Sequence, residues 1–125
     1  MILLTGGSGL LGSELQKHLE FYAPSKEELD ITKDILLDVK PELIVHTAAF
    51  TDVDAAQYKM IEAYNTNVVG TKNICSLGVP VLYISTDSVF SGEKGNYSEK
   101  DTPNPINFYS LTKLLGEGYV TNGVI

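Results

Sequence analysis

The chain has 125 residues, enough for one domain with a single core. Its net charge of −7 argues against the basic face that non-specific nucleic-acid binding requires, and no apolar run approaches the length of a membrane span. Cys75 is the only cysteine, which excludes an internal disulfide and favours a reducing compartment, so a cytoplasmic protein with no nucleic-acid or membrane partner is expected.

The first stretch, MILLTGGSGLLG, organises the rest. Ile2, Leu3 and Leu4 fit a short buried strand, and glycines follow at 6, 7, 9 and 12. Leu11, Leu15 and Leu19 then recur four apart, the spacing of one helix face. A strand, a glycine turn and a helix N-terminus can hold a dinucleotide pyrophosphate, because bare N–H groups and the helix dipole favour an anion there. The spacing Gly6-x-x-Gly9-x-x-Gly12 departs from the common G-x-G-x-x-G, so a tight turn without ligand stays open as the alternative.

Glu20 to Ala23 reads as a second short strand, stopped by Pro24-Ser25. In a dinucleotide fold an acidic residue at this strand's end selects NAD. Ser25 and Lys26 stand there instead and suit a 2′-phosphate, favouring NADP, unless Lys26 is only a solvated turn residue. Leu29 to Ile31 reads as a brief third strand, and Thr32 as the cap of a helix over 33–40 closed by Pro41. Leu43-Ile44-Val45 is a fourth strand, ending in His46-Thr47-Ala48-Ala49, where small residues leave room for a cofactor ring. His46 is a candidate base, but no cysteine or second histidine lies nearby in sequence, so a packed strand-end role is expected.

Residues 52–78 read as one long helical region, stopped at Gly78. Pro80 to Ile84 is a fifth strand with Ser85-Thr86-Asp87 at its end. The polar loop from Ser91 to Asn107 is long enough to imply function or mobility. A helix follows from Phe108 to Val120, and Val124-Ile125 begins another strand. Strands alternating with helices predict an α/β fold, a doubly wound parallel sheet of Rossmann type.

Tyr109 and Lys113 lie four apart, on one face of the last helix. A free phenol titrates near 10, too high for acid–base work at neutral pH, and a cation beside it would lower that value. The hydroxyl pair Ser85 and Thr86 and the glycine turn add weight to this pairing.

TGGSGLLG, ELDIT around Asp30, HTAAFTDVDAAQ from His46, NTNVVGT from Asn65, STDSVFSG from Ser85 and FYSLTKLLGE from Phe108 run through nearly the whole chain. In that order they resemble the extended short-chain dehydrogenase/reductases, most of all their dTDP-4-dehydrorhamnose reductase branch. The resemblance implies reduction of a 4-keto nucleotide sugar with NADP, NAD being possible, and no metal. It implies that Thr86 hydrogen-bonds the substrate carbonyl, Tyr109 gives it a proton, and Lys113 binds the nicotinamide ribose and tunes Tyr109. Gly6, Gly9, Leu10 and Leu11 would line the pyrophosphate, with Asp30 and Ile31 by the adenine. Ala48, Ala49, Phe50, Thr51 and Ser85 would lie along the cofactor, and Asp87 would face the sugar.

Ser88 departs from the resemblance, standing where an aromatic residue is usual. The resemblance also implies a sixth strand and a C-terminal substrate region. Residues 1–125 are therefore expected to form an incomplete dinucleotide-binding domain, truncated before that strand, with an open edge beside residues 81–84. Self-association into a homo-oligomer is possible on this reading. Two other functions stay open: a non-catalytic regulatory subunit resembling that of methionine adenosyltransferase, or a related nucleotide-sugar epimerase or dehydratase.

Overall fold

The computed structural model describes all 125 residues. Four parallel strands form one sheet in the order β1 (Ile2–Thr5), β2 (Leu43–His46), β3 (Val81–Tyr83) and β4 (Gly123–Val124). Leu3, Ile44, Val81 and Tyr83 from these strands are buried in one cluster with Ile31, Ile74 and Val79. The helices are α1 (Leu10–Leu15), α2 (Val53–Ala56), α3 (Met60–Tyr64), α4 (Thr71–Cys75) and α5 (Phe108–Glu117). No helix is long and apolar enough to cross a membrane.

The expected second strand shrinks to a single parallel bridge between Tyr22 and Leu3. Tyr22 nevertheless flanks β1 on one side while β2 flanks it on the other. The chain thus changes direction across the sheet at β1, and open α/β sheets bind ligands beyond the strand ends at such a switch point.

Several expected elements do not form. Residues 29–31 are not a strand, because the Asp30 carboxylate accepts hydrogen bonds from the Thr32 backbone N–H and hydroxyl and folds the segment into a local turn. Residues 33–40 are not a helix. Ile35 and Leu37 pack against the core while Leu36 between them is 93% exposed, so the apolar residues alternate with period two. Asn73 also takes the Ile31 and Lys33 carbonyls with its side-chain amide. The first helix stops at Leu15, short of Leu19, the last residue of the expected helix face.

The long helix expected over 52–78 is broken. Lys59, with φ −101° and ψ 48°, separates α2 from α3, and a π-helical turn at Asn65–Gly70 joins α3 to α4. Thr71 back-bonds to the Asn67 carbonyl through its hydroxyl, and Gly70 leaves room for the Ile31 side chain. The loop over 91–107 is internally pinned, with Phe90 stacked on Tyr97 at 4.7 Å and Lys94 paired to Asp101 at 2.7 Å.

The expected open edge beside 81–84 is also corrected. β4 pairs with Val81 and Leu82 of β3, and its own residues are exposed, so the open edge lies along β4 instead.

Candidate active site

β1 ends in Thr5, and the chain turns sharply at Gly6, whose φ of +74° favours glycine. The Gly9 N–H returns to the Gly6 carbonyl at 3.0 Å, and α1 begins at Leu10. A side chain at Gly12 would collide with the Gly6 carbonyl, so the third glycine of the motif closes the turn against the helix. Gln16 braces it from below, donating to the Gly7 carbonyl at 2.8 Å.

A cleft of about 1080 Å³ opens over this turn. Its wall contains Gly6, Gly9, Leu10, Leu11, Asp30, Ile31, Ala48, Ala49, Phe50, Thr51, Ser85, Tyr109 and Lys113, so the structure gathers every expected cofactor residue along one channel. Leu10 is 94% exposed there, whereas the Ile31 side chain is turned into the core. Asp30 lines the wall with its carboxyl held below the ordinary range, chiefly by the Thr32 hydroxyl. Lys26 lies at this end, on the wall of the cleft and of an adjoining cavity of about 740 Å³ that Lys59 also lines.

The other end carries the reactive groups. Lys113 is 4% exposed, donates to the Ile84 carbonyl at 2.7 Å and stands 4.4 Å over the Tyr83 ring. Burial pushes its ammonium down to about 8, with Glu117 acting in the other direction. Burial pushes the Tyr109 phenol up, and the Thr86 side chain beside it opposes that shift. The lowered phenol expected from a neighbouring lysine is therefore not found, because the Lys113 ammonium is directed to Ile84 and Tyr83 instead. Thr86 and Asp87 are outside the cleft wall. Thr86 caps the 3-10 turn Asp87–Val89 and accepts from the Ser88 N–H.

Ser85 supplies the test of whether a polar ligand fits. Its hydroxyl oxygen is buried in the wall with no hydrogen-bond partner. Buried polar atoms rarely stay unpaired, so this one is suited to a polar group of a bound ligand. With the open turn at the opposite end, the residues fit a dinucleotide lying along the cleft.

His46 has the packed role. Its Nδ1 is 2.6 Å from the Thr5 hydroxyl and its Nε2 is 3.0 Å from that of Thr71. The Thr71 hydroxyl donates to the Asn67 carbonyl, so it accepts from Nε2–H, and Nδ1 accepts from Thr5. Burial first, and the Lys113 charge second, push the imidazole down to about 3. The unfolded chain then binds a proton between about 6.5 and 3 that the folded chain does not, so stability is full above pH 6.5 and is lost as pH falls through that window. A loss of about 2 kcal/mol between pH 7.5 and 5 is expected. Urea midpoints measured across this range should show it, and His46→Gln should flatten the slope; an equal slope in the variant would exclude His46 as its source.

Sequence reading missed Asn67 and Thr66. Thr66 lines the cleft, and Asn67 uses its amide to hold both the N–H and the carbonyl of Phe50 as well as the Thr112 hydroxyl on α5. The π-helical turn places both residues, and no local spacing announces it.

The RmlD substrate binding domain model matches residues 1–124. A dTDP-4-dehydrorhamnose reductase from Aggregatibacter actinomycetemcomitans is 37% identical over 93% of this chain and 45% of its own length. Methionine adenosyltransferase 2 subunit beta from Bos taurus is 33% identical over 93% of the chain and 41% of its own length. Among solved structures, dTDP-4-dehydrorhamnose reductase from Bacillus anthracis str. Ames in complex with NADP superposes with a TM-score of 0.91 at 34% identity, covering 98% of this chain and 51% of that one. The chain thus spans about half the length of the relatives it matches.

Proposed function

The chain belongs to the RmlD substrate binding domain family, and from that premise we propose that it forms the cofactor-binding half of an NADP(H)-dependent reductase acting on a 4-keto nucleotide sugar, dTDP-4-dehydrorhamnose. One observation carries the reading: a single cleft runs from the glycine turn to Tyr109 and Lys113. Gly6, Gly9, Leu10 and Leu11 would hold the pyrophosphate, Asp30 and Ile31 the adenosine, and Ala48 to Thr51 the span between. Ser85 and Lys113 would hold the nicotinamide end. The bound dinucleotide supplies the hydride. Tyr109, kept protonated by its burial, gives its proton to the carbonyl oxygen, and Thr86 donates a hydrogen bond to the same oxygen. Asp87 is exposed and free to meet the sugar. The relative from Aggregatibacter and the NADP-bound structure from Bacillus anthracis support this assignment.

A second reading is favoured by the match to methionine adenosyltransferase 2 subunit beta, which would make the chain part of a regulatory subunit. Tyr109 and Lys113 on the wall at one cleft end, with the Thr86 side chain beside the Tyr109 phenol, favour the reductase.

Titrating the chain with NADPH and NADH, followed by nicotinamide fluorescence, tests the proposal. Saturable binding of NADPH is expected. Lys26→Glu should weaken NADPH by roughly tenfold, about 1.4 kcal/mol, and leave NADH nearly unchanged, since only NADPH carries the 2′-phosphate. Equal losses for both would remove Lys26 from the phosphate site, and no binding of either would overturn the cofactor assignment.

A further inference from the structure

Three hydroxyls run in a chain behind Tyr109. Ser110, fully buried on the first turn of α5, donates from its Oγ to Ser88 Oγ at 2.8 Å. Ser88 Oγ lies 3.0 Å from Thr86 Oγ1, and the Ser88 N–H donates to that same Thr86 oxygen at 3.2 Å. A hydroxyl carries one proton and two lone pairs. Having accepted from Ser110, Ser88 can turn its own proton to Thr86, although either oxygen of that pair has the geometry to donate. Both lone pairs of Thr86 are then engaged, one by the Ser88 hydroxyl and one by its N–H. In that orientation the bonding capacity Thr86 retains is its proton, which is left for a partner outside this chain of hydroxyls.

We propose that Ser88 and Ser110 are positioning residues that fix the direction in which the Thr86 hydroxyl donates, leaving its one proton for the neighbouring Tyr109 oxygen, or for the reacting carbonyl when substrate takes that place. This rests on reading Thr86 and Tyr109 as the proton-donating pair. The device belongs to this chain, since residue 88 is the place where the resemblance leads one to expect an aromatic ring. Hydrogen bonds in such a chain polarise one another, so each upstream hydroxyl strengthens the donation of the next. Asn107 holds the start of the relay in place by accepting from the Ser110 N–H at 2.8 Å.

The test is the titration of the Tyr109 phenol, followed by NMR in protein labelled at the tyrosine ζ carbon. The chain has seven tyrosines, and the signal missing from Tyr109→Phe assigns the one of interest. A donor to the phenol oxygen favours the phenolate. Thr86→Val should therefore raise the midpoint most, and Ser88→Ala should raise it by on the order of 0.3 pH unit. Ser88→Thr keeps the hydroxyl and should titrate as the unmodified chain does. Ser110→Ala removes only the head of the relay and should give a smaller rise, which decides the matter if Ser88→Ala does not fold. A Ser88→Ala protein that titrates normally while Thr86→Val is shifted would overturn the relay and leave the pair intact. No shift in Thr86→Val would overturn the pair itself and the relay with it.

Discussion

A Gly9→Val variant is expected to fold normally and to lose NADPH affinity by roughly 100-fold or more, about 2.7 kcal/mol. Gly9 has φ −75° and ψ 175°, extended backbone that any residue adopts. An added Cβ would sit 3.3 Å from the Gly6 carbonyl, a tight contact that the turn can absorb by a small shift. Gly9 is exposed on the wall of the cleft, so the branched side chain would occupy the space needed by the pyrophosphate and not space inside the fold. Gly12 is the instructive contrast. It is buried, and any side chain there meets the Gly6 carbonyl, so Gly12→Val is expected to fail at folding. Circular dichroism and NADPH fluorescence on the two variants separate these outcomes. A folded Gly9→Val protein with normal affinity would take the turn out of the cofactor site.

The second large effect concerns turnover, measured in a protein that carries this domain together with a substrate-binding half. Tyr109→Phe should lower kcat by about 10²–10⁴-fold, the usual contribution of a general acid, with NADPH affinity preserved. The phenol is half-buried, and its raised pKa keeps it protonated at neutral pH, the state required of a proton donor. Removing one oxygen leaves the ring packing in place. Lys113→Ala is a different perturbation, because it also deletes the hydrogen bond to Ile84 and the contact with Tyr83, so cofactor binding and stability should both suffer. Near-normal kcat in Tyr109→Phe would remove Tyr109 as the proton donor, and no turnover by the unmodified protein would favour the regulatory reading.

The strand, glycine turn and helix at residues 2–15 were legible in the sequence because each depends on short-range chemistry. A run of three apolar residues buries, a glycine permits φ +74°, and bare N–H groups collect at the helix start. The same holds for α5, where Asn107 caps the helix and the spacing of Tyr109 and Lys113 places them on one face. The strand cores at 43–46 and 81–83 also followed from local apolar runs.

What failed was decided by distant partners. Thr32 and Pro41 offered a start and a stop for a helix over 33–40, but only Ile35 and Leu37 pack against the core, and Asn73 claimed the Ile31 and Lys33 carbonyls from 40 or more residues away. The break in the 52–78 helix serves contacts with Phe50 and Thr112, neither of which lies within that segment. The chemistry of the site shows the same division. Sequence named Tyr109 and Lys113, but a side chain's protonation depends on its burial and neighbours, and those arise only on folding. Tertiary packing turned Lys113 toward Ile84 and Tyr83, raised the Tyr109 phenol instead of lowering it, and left the Ser85 hydroxyl unpaired in the cleft wall. Local sequence determined which groups are present and which helix or turn carries them; desolvation and long-range hydrogen bonding determined what state they are in.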